Sequence, residues 1–166
     1  MSASDSVVDF SGIDLSLTIY DGSGNSLAIE HMQADGGWTT EGDTYTEGRT
    51  RGLHRATPVL RRTGSGNVTG SISVNVSSFK GSTAAKPVDV LHFSGLASGW
   101  TTTGAGDKKA LRYVWTLNAS AAGGATQTVT MAACVAMNIK FDPVGSDGLG
   151  MLSWDWTDHE SVPVFA

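Results

Sequence analysis

Apolar and polar residues alternate with a period of two along most of the chain. Ile13, Leu15, Leu17 and Ile19 are interleaved with Asp14, Ser16, Thr18 and Tyr20, the pattern of a strand with one buried face. The turn-rich run Asp21-Gly22-Ser23-Gly24-Asn25 follows, and a second short strand from Leu27 to Gln33 completes a hairpin. Pro58 to Arg62 suits a short strand, and Val68, Gly70, Ile72, Val74 and Val76 mark a clear one over about residues 67–79. Leu111, Tyr113, Trp115 and Leu117 form one face of a strand over 109–118, and Leu152, Trp154 and Trp156 one face of a last strand over 149–157. The longest alternation places Val129, Met131, Ala133, Val135, Met137, Ile139 and Phe141 on one face. It predicts a strand of about 17 residues, against a usual ~5–6, ended by Asp142-Pro143.

Two stretches break the alternation. Pro87 fits a first helical position, and Val88, Leu91, His92, Gly95 and Leu96 fall on one helical face, so a single helix is expected over Pro87–Ala97. Residues 34–57 show no apolar period at all. They begin acidic (Asp35, Glu41, Asp43, Glu47) and end basic (Arg49, Arg51, Arg55). A long stretch without periodicity inside a domain signals function or disorder, and this one is expected to leave the sheet as an excursion. Residues 1–11 are small and polar, the composition of a flexible arm. The order of strands, one helix and more strands gives an all-β fold with one flanking helix, a sandwich or barrel, in a single domain over residues 1–166.

Composition narrows the function more than the fold. The 166 residues include 21 glycines, and only 16% are charged, against roughly 25% in ordinary soluble domains. The net charge is −5, a poor basis for gripping nucleic acid, whose affinity comes from neutralising phosphates. It does not exclude a surface over which nucleic acid slides without sticking. One cysteine, Cys134, makes no internal disulfide. The start Met1-Ser2-Ala3-Ser4-Asp5-Ser6 lacks a signal-peptide pattern, and no run approaches the ~20 apolar residues of a membrane span. The expectation is a chain kept in the cytoplasm, or packed into something assembled there, with no membrane partner.

Catalytic chemistry finds little support. His31, His54, His92 and His159 are not at metal-ligand spacing, and Cys134 has no CxxC partner. There is no GxSxG, Walker loop or strand-borne GxGxxG; the two GSG turns lead into no helix. Asp155 with Asp158, and Asp142 with Asp147, are carboxylate pairs that suit glycoside hydrolysis or calcium in principle, but solvated turn carboxylates are the favoured reading. No enzyme activity and no cofactor are expected.

Trp115, Trp154 and Trp156 fall on apolar faces and read as core. Trp38, in the polar stretch, suits an interface anchor. Exposed Trp38 or Trp100 would also suit stacking on sugars, so a carbohydrate-binding sandwich is the alternative. Arg49, Arg51, Arg55, Arg61 and Arg62 are five of the eleven Lys and Arg residues. Nucleic-acid contact, a solvated surface and contact with an acidic patch on a second copy all remain open. The last is preferred, because the same stretch supplies both signs of charge. The candidate inter-subunit contacts are Trp38, Glu41, Asp43, Glu47, Arg49, Arg51 and Arg55. The second face of the long strand is small and nearly uncharged, which suits a sheet that joins a larger assembly and so loses its edges.

Three features together resemble the tail tube proteins of long-tailed bacteriophages. They are the strand Gly70-Ser71-Ile72-Ser73-Val74-Asn75-Val76 after a long charged loop, the single helix Pro87–Ala97, and the closing pair that runs from Phe141-Asp142-Pro143-Val144 to Met151-Leu152-Ser153-Trp154-Asp155-Trp156. The resemblance covers roughly residues 10–160 in order and pattern. It implies a sandwich-like barrel with one flanking helix, a fold shared with type VI secretion tube proteins. It further implies a homo-hexameric ring whose inner sheets join into one β-barrel, and rings stacked into a tube with the 34–57 loop reaching the next ring. The implied partners are further copies, a tape-measure protein and tail tip or terminator proteins. DNA would pass through the lumen without specific binding, and the protein would reside in the virion tail after assembly in the host cytoplasm.

Overall fold

Alternating β-branched and aromatic residues put one face of each strand into a common core. The computed structural model describes residues 14–29, 38–40, 44–48, 59–64, 68–76, 83–104, 109–118, 125–143, 150–158 and 164–166. Their strands are β1 (Asp14–Tyr20), β2 (Ser26–Ile29), β3 (Trp38–Thr40), β4 (Thr44–Gly48), β5 (Val59–Gly64), β6 (Val68–Val76), β7 (Ala110–Asn118), β8 (Thr126–Asp142), β9 (Gly150–Asp158) and β10 (Val164–Phe165). One sheet runs β2-β1-β7-β8-β9-β6-β3, and β10 pairs with β8. Every pairing is antiparallel. β4 and β5 form a separate two-stranded ribbon. The expected all-β fold with one flanking helix is the fold observed.

One apolar cluster takes in Leu17 and Ile19 of β1, Ile29 of β2, Ile72 and Val74 of β6, Tyr113 and Trp115 of β7, Met131 of β8 and Trp154 and Trp156 of β9. In a flat sheet β1 and β6, four ladder spacings apart, would stand about 19 Å from each other. The cluster bridges that distance through the inner residues of β7, β8 and β9. The helix α1 (Pro87–His92) adds Val90 and Leu91 to that cluster and touches β2.

The helix is shorter than its sequence pattern predicts. Asp89 caps the first turn, accepting a bond from the Lys86 amide at 3.0 Å. Phe93 then enters the left-handed region (φ 51°), and the Ser94 amide donates back to the Asp89 carbonyl at 2.9 Å, a closure that ends a helix. Gly95–Ala97 continues only as a 3-10 turn, and Leu96, expected on the buried face, is exposed. A second difference lies in residues 34–57. They hold an edge strand, β3, and half of the ribbon, β4. Three-residue and five-residue strands carry too few alternations to register as a period. The arm at 1–11 lies outside the described residues.

β8 has the expected 17 residues, but its two faces exchange twice. Leu111 is opposite Cys134 and Tyr113 opposite Met131, so Arg112 faces both Ala132 and Ala133. This extra residue is a β-bulge, and past it the inward positions shift from odd to even. Cys134 is therefore buried and Ala136 packs on the core, whereas Met137, expected inside, is exposed. A second bulge between Met137 and Lys140 reverses the sense again and returns Ile139 to the core side.

Candidate assembly surface

The outer face of the sheet is built from the polar half of each alternation. Small side chains such as Ser16 and Thr18 on β1, Thr116 on β7, Thr128 and Thr130 on β8 and Ser73 on β6 occupy it, all half-buried or exposed. Among the described residues its charged side chains are Arg112, Lys140, Asp142 and Asp155. The Arg112 guanidinium lies over the Tyr20 ring, 4.6 Å from the centroid. Asp155 accepts bonds from Ser71 Oγ at 2.9 Å and Asn138 Nδ2 at 2.9 Å. These bonds, Asn138 first and then Ser71, with Lys140 nearby, outweigh slight burial and hold its carboxyl below the usual 3.8. A carboxylate so stabilised is a weak proton acceptor near neutrality.

The carboxylate-pair readings do not survive the strand geometry. Asp155 and Asp158 are three apart on β9, an odd number, so they stand on opposite faces. Asp155 is on the outer face, whereas Asp158 is 2% exposed inside. Asp142 is exposed, and Asp147 lies outside the described residues. Among the described residues no three His, Cys, Asp or Glu side chains gather as a metal site, and no helix is long and apolar enough to cross a membrane.

The tryptophans divide as the pattern predicts. Trp115, Trp154 and Trp156 are fully buried and Trp100 packs partly against the core. Trp154 Nε1 donates to Tyr113 Oη at 3.1 Å. The carbohydrate reading rests on Trp38 and Trp100 and not on these three, and Trp100 is half-buried.

The candidate contact residues fall in separate places. Trp38 opens β3, paired with Gly70 at the edge of the main sheet. Glu47 lies on β4 opposite Leu60, beside the pairings Thr46 with Arg61 and Tyr45 with Arg62. The ribbon thus sets an acidic strand position next to the basic run of β5. Glu41, Asp43, Arg49, Arg51 and Arg55 lie outside the described residues. Among the described residues the exposed large apolar side chains are Leu96 (49%), Phe141 (45%), Met137 (41%) and Leu15 (36%). Phe141 stacks on His92 with ring centroids 6.4 Å apart. Sequence reasoning did not single out Asn138 or Ser71. The signal for Asn138 was present, since an asparagine inside a long apolar strand often marks a left-handed residue at a bulge.

No protein-family model matches the chain, and no curated protein matches it. Solved structures do. A chain in the cryo-EM structure of the anti-feeding prophage (AFP) baseplate, 6-fold symmetrised, is similar over 100% of this chain and 97% of that one, with a TM-score of 0.52 and 11% identity. A chain of the PVC sheath-tube complex in its extended state, from an extracellular contractile injection system, is similar over 90% of this chain and 87% of its own, with a TM-score of 0.49 and 9% identity. The crystal structure of Hcp protein is similar over 92% of this chain and 97% of its own, with a TM-score of 0.39 and 11% identity. The AFP baseplate chain shares this all-β fold over the whole of the chain.

Proposed function

We propose that this protein is a non-catalytic structural subunit that assembles with its own copies into a tube. Six copies form a ring, rings stack, and the channel conducts cargo, DNA in the case of a phage tail, without specific binding. The observation that supports this reading is the end-to-end likeness of fold to a chain of a baseplate solved with 6-fold symmetry. The outer sheet face, rich in small polar side chains and with both signs of charge among its described residues, is the kind of surface that lies along a neighbour or a passing polymer without trapping it. A tail or a phage-like injection particle is the location that follows, with assembly in the host cytoplasm. A tape-measure protein and tip or terminator proteins are the remaining partners.

The acidic and basic halves of residues 34–57 are proposed to meet between copies, with Trp38 as an anchor. Charge exchange tests this directly. Changing Asp35, Glu41, Asp43 and Glu47 to lysine makes the segment uniformly basic; changing Arg49, Arg51 and Arg55 to glutamate makes it acidic with no Lys or Arg left. Each variant alone is expected to stay small by sedimentation, and an equimolar mixture to recover the assemblies of the unaltered chain. Assembly of either variant alone at the normal level overturns the contact assignment. An unaltered chain that sediments only as the 17.3 kDa subunit overturns the subunit reading itself.

A further inference from the structure

The end of β8 is held in register by one carboxylate on the neighbouring strand. Met137 is opposite Asp155 and Lys140 opposite Ser153, so Asn138 and Ile139 together face Trp154. Asn138 makes room by adopting φ 52°, in the left-handed region, which asparagine tolerates better than most residues. Its Nδ2 donates to Asp155 Oδ2 at 2.9 Å, and Ser71 Oγ donates to Oδ1 of the same group at 2.9 Å. Ser71 is the β6 residue directly opposite Asp155. Asp155 therefore ties the bulge on β8 to the strand on its other side.

A competing arrangement is one residue away. If the ladder continued past Met137 without the bulge, Asn138 would face Trp154, Lys140 would face Leu152 and Phe141 would face Met151. Every side chain from 138 onward would change faces. Burial of a lysine ordinarily forbids such a slip. Here the core side is open at its end, because Phe141, opposite Leu152 on that side, is 45% exposed. A lysine there would reach water with its ammonium while its stem lay on apolar surface. The slip is opposed by the loss of Ile139 from the core side and by Asn138 against Trp154, and the bonds to Asp155 add to that preference.

We infer that Ser71, Asp155 and Asn138 form a register latch that selects between two pairings of the last residues of β8. In the latched register Lys140 faces outward and Phe141 stacks on His92; in the slipped one Ile139 and Phe141 face outward. The latch is a positioning device within the subunit, and it stands whether or not the chain assembles.

Disulfide trapping reads the two registers separately. With the sole cysteine removed (Cys134→Ser), the pair Lys140→Cys with Ser153→Cys reports the latched register. The pair Phe141→Cys with Met151→Cys reports the slipped one, since those positions share a face only after the slip. The latched pair is expected to cross-link in the parent and the slipped pair not to. Asp155→Ala, or independently Asn138→Ala, is expected to shift the ratio toward the slipped pair by roughly fivefold, the scale of one exposed hydrogen bond. Amide exchange at 139–142, read without any added cysteine, is expected to quicken in the same variants. An unchanged cross-linking ratio and unchanged exchange in both variants overturn the latch.

Discussion

Gly70 on β6 and Trp156 on β9 stand directly opposite one another, and the indole occupies the space that a side chain at 70 would need. A Cβ at Gly70 would come within 2.6 Å of the Trp156 ring. The same indole packs on the Tyr113 ring at 5.8 Å and the Trp115 ring at 6.4 Å, so it has no free direction in which to move. Gly70→Ala is therefore expected to destabilise the protein by about 1–3 kcal/mol, the usual scale of overpacking. Urea or thermal unfolding measures it. Unchanged stability would show that the aromatic cluster yields where the packing says it does not.

Asp21 fastens the β1–β2 turn to the segment that follows the helix. Its carboxylate accepts bonds from the amides of Ser23 (2.9 Å), Asn25 (2.7 Å) and Thr101 (3.1 Å), and from Asn25 Nδ2 (2.8 Å). Burial pushes its pKa up, but these bonds together hold it below the usual 3.8. Asp155 is lowered as well. A carboxyl whose folded pKa is depressed stabilises the fold fully above its unfolded value and loses that contribution as the pH falls through the folded one. The urea midpoint is therefore expected to hold steady down to about pH 5 and to fall steeply below about pH 4. Asp21→Asn should lower the midpoint at neutral pH and flatten the acid limb. An acid limb of unchanged slope would remove Asp21 from the account.

Cys134 presents the opposite sign. Burial, and then the nearby Asp158 charge, push its thiol well above the usual 9.0. A thiol kept protonated and out of solvent is unreactive. A chromogenic disulfide reagent at pH 8 is expected to modify the folded chain at least ~100-fold more slowly than the urea-unfolded chain. Comparable rates would place Cys134 outside the core, and with it the first β8 bulge in error.

The strands with strong alternation were legible in the sequence because their inward residues are large. Leu152, Trp154 and Trp156 on β9 and Tyr113 and Trp115 on β7 all fall inside as the period predicts. β8 was legible in length and not in facing. Around its first bulge the residues are Ala132, Ala133, Cys134 and Ala136, too similar in size for the pattern to reveal a change of face. The helix was placed at its true start by Pro87. Its true end was hidden, because a left-handed Phe93 is set by the closing bonds to Asp89 and Val90 and not by a helix-breaking residue at that position. β10 escaped notice because two residues have no period. It is defined by pairing with Thr130 and Val129, and by the Ala166 bonds to Thr128 at 2.7 and 2.9 Å.

The candidate contact residues were the least legible part. Trp38 and Glu47 sit on short strands of different sheets, and a charge run in a sequence does not say which edge of a fold will carry it. The outer face, by contrast, was readable as small and polar from the alternation alone.

Electron microscopy of the purified chain at high concentration tests the central claim most directly. Rings with six-fold end views, or hollow tubes of uniform width, are the predicted result. Single subunits at every concentration up to the solubility limit, with no ring or tube in the field, would contradict it.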